Sequence, residues 1–110
     1  MQGIFFINER KRLFGLSINE SIQLQKEALF DLAENKKIQM VKLNPYQLYD
    51  HYTIPHALLY DLKLNKPNLD CLVMYSPEVI EDYIHLYPAR WILLKSYFNE
   101  MITASSCTNS

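Results

Sequence analysis

Apolar and polar residues change rhythm several times along this chain, and each change marks a predicted element. From Leu69 to Met74 the apolar run is broken only by Asp70, too short for a helix and right for a strand buried on both faces. Ser76, Pro77 and Glu78 follow at once. A serine oxygen can cap free amides, a proline loses nothing at the first helical position, and a carboxylate favours the positive helix end. Behind them Val79, Ile80, Tyr83, Ile84 and Tyr87 recur at helical spacing until Pro88 stops the run.

Earlier in the chain, Gly3 to Ile7 reads as a first strand and Asn8-Glu9-Arg10-Lys11-Arg12 as a charged, solvated loop at its carboxyl end. Ser17 and Glu20 have capping-box spacing, with Ser21 the alternative start, and Ile18, Ile22, Gln25, Leu29 and Leu32 form a stripe to about Asn35, interrupted only by the glutamine. Leu24 and Ala28 widen that stripe. Ile38 to Leu43 alternates as a strand whose polar members place it near a sheet edge. Asn44 to Thr53 has no period and reads as a partner-facing loop. Pro55 opens a helix, after Thr53 or Ile54, that packs through Ala57, Leu58, Leu59, Leu62 and Leu64; Asn65 to Asn68 is a turn. After Pro88, Trp91 to Lys95 reads as a fourth strand and Tyr97 to Ile102 as a short final helix.

Alternation of strand and helix predicts a three-layer α/β/α fold around a four-stranded parallel sheet; burial of the first and third strands, together with the family resemblance given below, favours the order 2-1-3-4. One domain over residues 1–104 and a flexible tail over 105–110 are expected. In such sheets ligands bind beyond the carboxyl ends of the strands, which makes Tyr75 and Ser76 the rim of any site.

Composition narrows the chemistry. With 110 residues, 11 basic and 12 acidic side chains, the chain has room for one core and no overall field to draw nucleic acid or a membrane. Its first apolar run is too short for a signal peptide or a span. Cys71 in a strand and Cys107 in a polar tail suit two unpaired thiols in a reducing cytoplasm. Two glycines cannot build a phosphate-cradling loop, and no histidine or cysteine spacing suits a metal, so no cofactor or metal is expected. Arg10, Lys11 and Arg12 could meet phosphate or an acidic partner. Of the eight tyrosines, Tyr46, Tyr49 and Tyr52 cluster in the irregular loop, as aromatic rings with polar tips do at protein interfaces. Asp50, His51, Tyr52 and His56 are the one polar cluster dense enough to suggest a site, where a histidine beside an aspartate could serve as a base. Ser76 lacks the glycines of a nucleophile elbow and is expected to cap its helix.

Order and spacing over residues 3–96 resemble the catalytic domain of the serine recombinases, the resolvase and invertase family. Ser21-Ile22-Gln23-Leu24-Gln25 with Ala28-Leu29 resembles the start of that family's first helix, Ile54-Pro55-His56-Ala57 its arginine-proline-glycine segment, and Leu69 to Tyr75 its aspartate-led third strand. The resemblance implies a serine two residues after an arginine at the end of the first strand, yet Ile7 and Glu9, or Asn8 and Arg10, stand there. It implies further arginines at Ile54 and near Glu78 to Glu81; acidic and apolar groups replace them and cannot stabilise a transferring phosphate. The expectation is a degenerate, stand-alone relative that works as a non-catalytic interaction or regulatory protein of bacterial or phage origin. Its partner-binding surface is then Arg10, Lys11, Arg12, Tyr46, Tyr49, Asp50, His51, Tyr52 and Tyr75, for a protein partner or a second copy. The alternatives are a DNA-associated modulator of a true recombinase and a small hydrolase using Asp50, His51 and His56.

Overall fold

The computed structural model describes residues 1–105; residues 106–110, Cys107 and all but Ser105 of the predicted tail among them, lie outside the described residues. The elements run β1 (Gln2–Phe5), α1 (Ile18–Lys36), β2 (Gln39–Met40), α2 (Pro55–Asn65), β3 (Leu69–Met74), α3 (Glu81–Leu86), α4 (Pro88–Lys95) and β4 (Phe98–Thr103). All strand pairings are parallel, as the alternation predicts, and the order is the expected one, β2-β1-β3-β4.

Two apolar layers flank the sheet. Leu29 and Leu32 of α1 pack with Phe5, Ile7, Cys71 and Val73, while Leu58 and Leu62 of α2, Tyr83 of α3 and Leu94 of α4 pack with Ile4, Phe6, Leu72 and Met74. Neighbouring strand residues thus feed opposite layers, which is why β1 and β3 read as continuous apolar runs. Close contact also explains Gly3: a Cβ there would stand 2.8 Å from Cys71 Sγ and 2.9 Å from Ile38 Cγ2.

The capping box of α1 forms as predicted, with Ser17 Oγ accepting from Glu20 N and Glu20 Oε1 accepting from Ser17 N. Ile54 takes the cap position of α2, with Pro55 in its first turn. Ala57 and Leu64 lie outside the packing face of that helix, which buries Asp61 instead.

Six expectations are corrected. Strand β2 is two residues long rather than reaching Leu43, because after Val41 N donates to Gly3 O the chain leaves the sheet edge. The helix predicted behind Ser76 begins as a 3-10 turn over Pro77–Ile80 and becomes α3 only at Glu81. Ser76 occupies the cap position, but Val79 N bonds the Ser76 carbonyl while the buried hydroxyl has no partner. Trp91 to Lys95 is helical: Pro88 both ends α3 and opens α4, and Trp91 and Leu94 face inward with Ile92 66% exposed. The fourth strand is instead Phe98–Thr103, where an extended chain completes the parallel ladder to Met74. Ser105, assigned to the tail, donates its N–H to Tyr75 O at 2.8 Å and so is tied to the sheet end. Among the described residues no helix is long and apolar enough to cross a membrane.

Candidate functional site

The chain leaves β1 toward β2 on one side and leaves β3 toward β4 on the other, so a crevice opens where the two central strands end. Its walls come from three exits: Asn8 to Arg10 after β1, Thr53 to His56 before α2, and Val79 to Tyr87 after β3. The cleft has a volume of about 380 Å³.

Two polar residues on the buried face of α1 fix the first wall. Gln25, fully buried, accepts from Asn8 N at 2.9 Å and donates to Asn8 O at 3.0 Å, holding both backbone polar groups of that residue. Asn8 Nδ2 then donates to Val79 O at 2.8 Å and Asn8 Oδ1 accepts from Arg10 N, which ties the β1 exit to the turn after β3. Ser21 Oγ accepts from Leu13 N and donates to Lys11 O. The glutamine that interrupts the α1 stripe is therefore the buried anchor of the loop.

The basic triplet does not form one surface. Arg10 lines the cleft beside Glu9 and opposite Asp82. Lys11 Nζ reaches across to Glu81 at 3.6 Å and Glu78 at 3.9 Å, and Arg12 Nε donates to Leu16 O. Tyr75 is half-buried, its ring edge-on to Phe14 at 6.2 Å.

The loop before α2 behaves unlike a free loop at its end. Tyr52 N donates to Phe5 O and Ile7 N donates to Tyr52 O, so the backbone extends the sheet by one bridge beside Phe6. Tyr52 is only 5% exposed and its hydroxyl donates to buried Asp61 Oδ2 at 2.6 Å. Burial, then this hydrogen bond, pushes the Tyr52 hydroxyl far above its ordinary pKa. It is a core residue, not a contact residue. Tyr46 and Tyr49 remain on the surface, and Asp50 pairs with Lys42 at 3.8 Å.

Asp50, His51 and His56 are not assembled into an acid–base group. His51 stacks on Tyr49, ring centroids 5.0 Å apart, with Nε2 buried and unpartnered. Burial and the nearby Lys26 lower the His51 pKa against the smaller pull of Glu9 and Asp50. His56 instead sits edge-on to Tyr83 and Tyr87 and accepts from Arg90 Nη1 at 3.3 Å. Among the described residues no group of three or more His, Cys, Asp or Glu side chains could hold a metal ion.

A second groove of about 400 Å³ runs beside the cleft, lined by Gln47 to Tyr49, His51 and Tyr60 among others. Thr53 and Ile54 border both spaces. Ile54 is 54% exposed, and large apolar groups stand in solvent on either side: Leu48 is 84% exposed and Leu86 71%. Sequence reading missed this ridge because Ile54 serves equally well as an ordinary helix-cap position. Leu48 beside Tyr46 and Tyr49, in a segment with no packing period, was the signal that could have found it.

Comparison of the chain with models of known families, with curated proteins and with solved structures finds no match.

Proposed function

We propose that this chain is a non-catalytic protein-interaction or regulatory protein of the cytoplasm, built on an α/β domain that resembles the serine recombinases. It engages a protein partner, or a second copy, across the Ile54 ridge at the carboxyl end of the sheet. One observation carries this reading: two clefts meet at an exposed isoleucine, and exposed Tyr46, Leu48, Tyr49, Leu86 and Tyr87 stand along the same end of the fold. Clustered exposed apolar groups are the mark of an interaction surface on a folded domain.

The chemistry of the crevice supports binding over phosphoryl transfer. Positions where the resemblance calls for serine and arginine hold Ile7, Glu9, Ile54 and the acidic pair Glu78 and Glu81, and that pair already uses the cation of Lys11. Carboxylates there would repel a phosphodiester. With Lys11 paired to Glu78 and Glu81 and Arg12 Nε bonded to a backbone carbonyl, residues 10–12 do not form the continuous basic patch that a DNA footprint on this loop would need. A buried, unpaired Cys71 thiol suits a reducing compartment.

Affinity capture from the chain's own cells, with light scattering for mass, tests the reading. Ile54→Asp and Leu48→Asp should each abolish a complex that the wild type holds, with circular dichroism and melting unchanged. A central contact of this kind is worth about 2 kcal/mol or more, roughly a thirtyfold loss of affinity. A wild-type monomer that captures nothing contradicts it.

A further inference from the structure

Helices α2 and α4 lie side by side next to the ridge, and their charges are one-sided. Over residues 55–66 the charged side chains are Asp61, Lys63 and Lys66; over 88–95 they are Arg90 and Lys95. Asp61 is turned inward, 9% exposed, and holds the Tyr52 hydroxyl. The outward surface of both helices is therefore cationic, on a chain whose formal net charge is -1.

Lys63 and Arg90 both line a notch of about 240 Å³ whose remaining walls are His56, Leu59 and Tyr60. Arg90 is held in place: Nη1 donates to His56 Nδ1 at 3.3 Å and the guanidinium carbon lies 5.5 Å from the Tyr87 ring centre. A guanidinium can only donate, so His56 Nδ1 accepts and the ring proton is on Nε2. Among the described residues, the side-chain ion pairs within 4 Å involve Lys11 and Lys42, neither Lys63 nor Arg90. Tyr60 and Leu64, one turn apart on α2, are 66% and 68% exposed, and Leu93, one turn from Arg90 on α4, is 39% exposed.

We propose that this notch takes a glutamate or aspartate side chain from an acidic, aliphatic-rich segment of the partner protein. The carboxylate pairs with Arg90 and Lys63, and flanking aliphatic groups pack on Tyr60, Leu64 and Leu93. The inference rests on the interaction reading above and names the chemistry of the partner. A concave notch lined by two cations and no carboxylate fits a single projecting carboxylate; a bilayer or a duplex presents phosphates as a broad array, which a recess does not match.

A fluorescein-labelled peptide alternating pairs of Glu and Leu, titrated with the full chain and followed by anisotropy, is the test. Wild type should bind it, and Lys63→Glu, Arg90→Glu and Arg90→Gln should each weaken binding by about tenfold or more. A matched Gln–Leu peptide should bind no better than the Glu–Leu peptide binds the variants. Amide shifts on binding should centre on His56, Lys63 and Arg90. Unchanged binding in the variants overturns the proposal. So does displacement by inorganic phosphate alone, or a preference for phosphatidylserine vesicles or duplex DNA over the peptide. This assay needs no natural partner, so its failure is separable from a failed capture experiment at the Ile54 ridge.

Discussion

His51 and Tyr52 are adjacent and have opposite fates. Pairing of Tyr52 with β1 makes the chain locally extended, and alternation then turns Tyr52 into the α2 layer while His51 stacks on Tyr49. No local period announces this, because the bridge is made to a strand more than forty residues away. His51 carries a pH prediction with a definite sign. Burial and Lys26 lower its pKa below the ordinary 6.5, against Glu9 and Asp50, so the folded protein favours the neutral ring. Above pH 6.5 the ring is neutral in both states and its contribution is intact. As pH falls below that value the unfolded chain takes up the proton first, and stability is lost down through the folded pKa. The melting temperature should therefore fall from pH 7 toward pH 5, and fall less in His51→Phe, which keeps the stack on Tyr49. An equal acid sensitivity in that variant would remove His51 as a source.

At the scale of elements, local signals succeeded where they were redundant. Strand β3 matches its predicted Leu69–Met74 span because a solid apolar run is bounded on both sides by turn residues, and the α1 start matches because its two capping bonds satisfy each other. Failure came where one pattern fits two structures. Trp91 to Leu94 is an apolar run short enough for a strand, while only its first and last members are buried, the spacing of one helical turn. Phe98 and Ile102 are four apart and look helical, yet they are the buried members of an edge strand. Pro88 was the disambiguating residue, read as a stop and acting also as a start. Helix ends were legible in position but not in conformation: α1 and α2 close on Lys37 and Lys66 with φ of 54° and 46°, the left-handed region that favours glycine. A side chain there costs about 1 kcal/mol. Lys37→Gly should accordingly raise stability by about that amount in urea titration, since the capping bond to Ala33 O is a backbone bond and survives; a lower midpoint would show that Lys37 does more than terminate the helix.

For the whole molecule, the sheet order was legible from which strands read as buried on both faces and from the family resemblance, so a site beyond the carboxyl ends of the strands was expected; Tyr75 and Ser76, the expected rim, do not line the cleft. What lines that crevice was legible only in part. Arg10 and His56 lie on its walls, but Lys11 spends its charge on Glu78 and Glu81, and Tyr52 belongs to the core. These outcomes depend on partners distant in sequence, and no spacing rule reaches them. The Ile54 ridge likewise appears only when the β2–α2 loop and the α3 segment are brought to the same end of the fold. The most direct test of a partner surface there is amide hydrogen exchange on the chain alone and in its captured complex. Protection should rise over residues 48–56 and 86–90 and stay unchanged over 18–36, the α1 side; protection confined to α1, with residues 48–56 exchanging as in the free chain, would contradict the account.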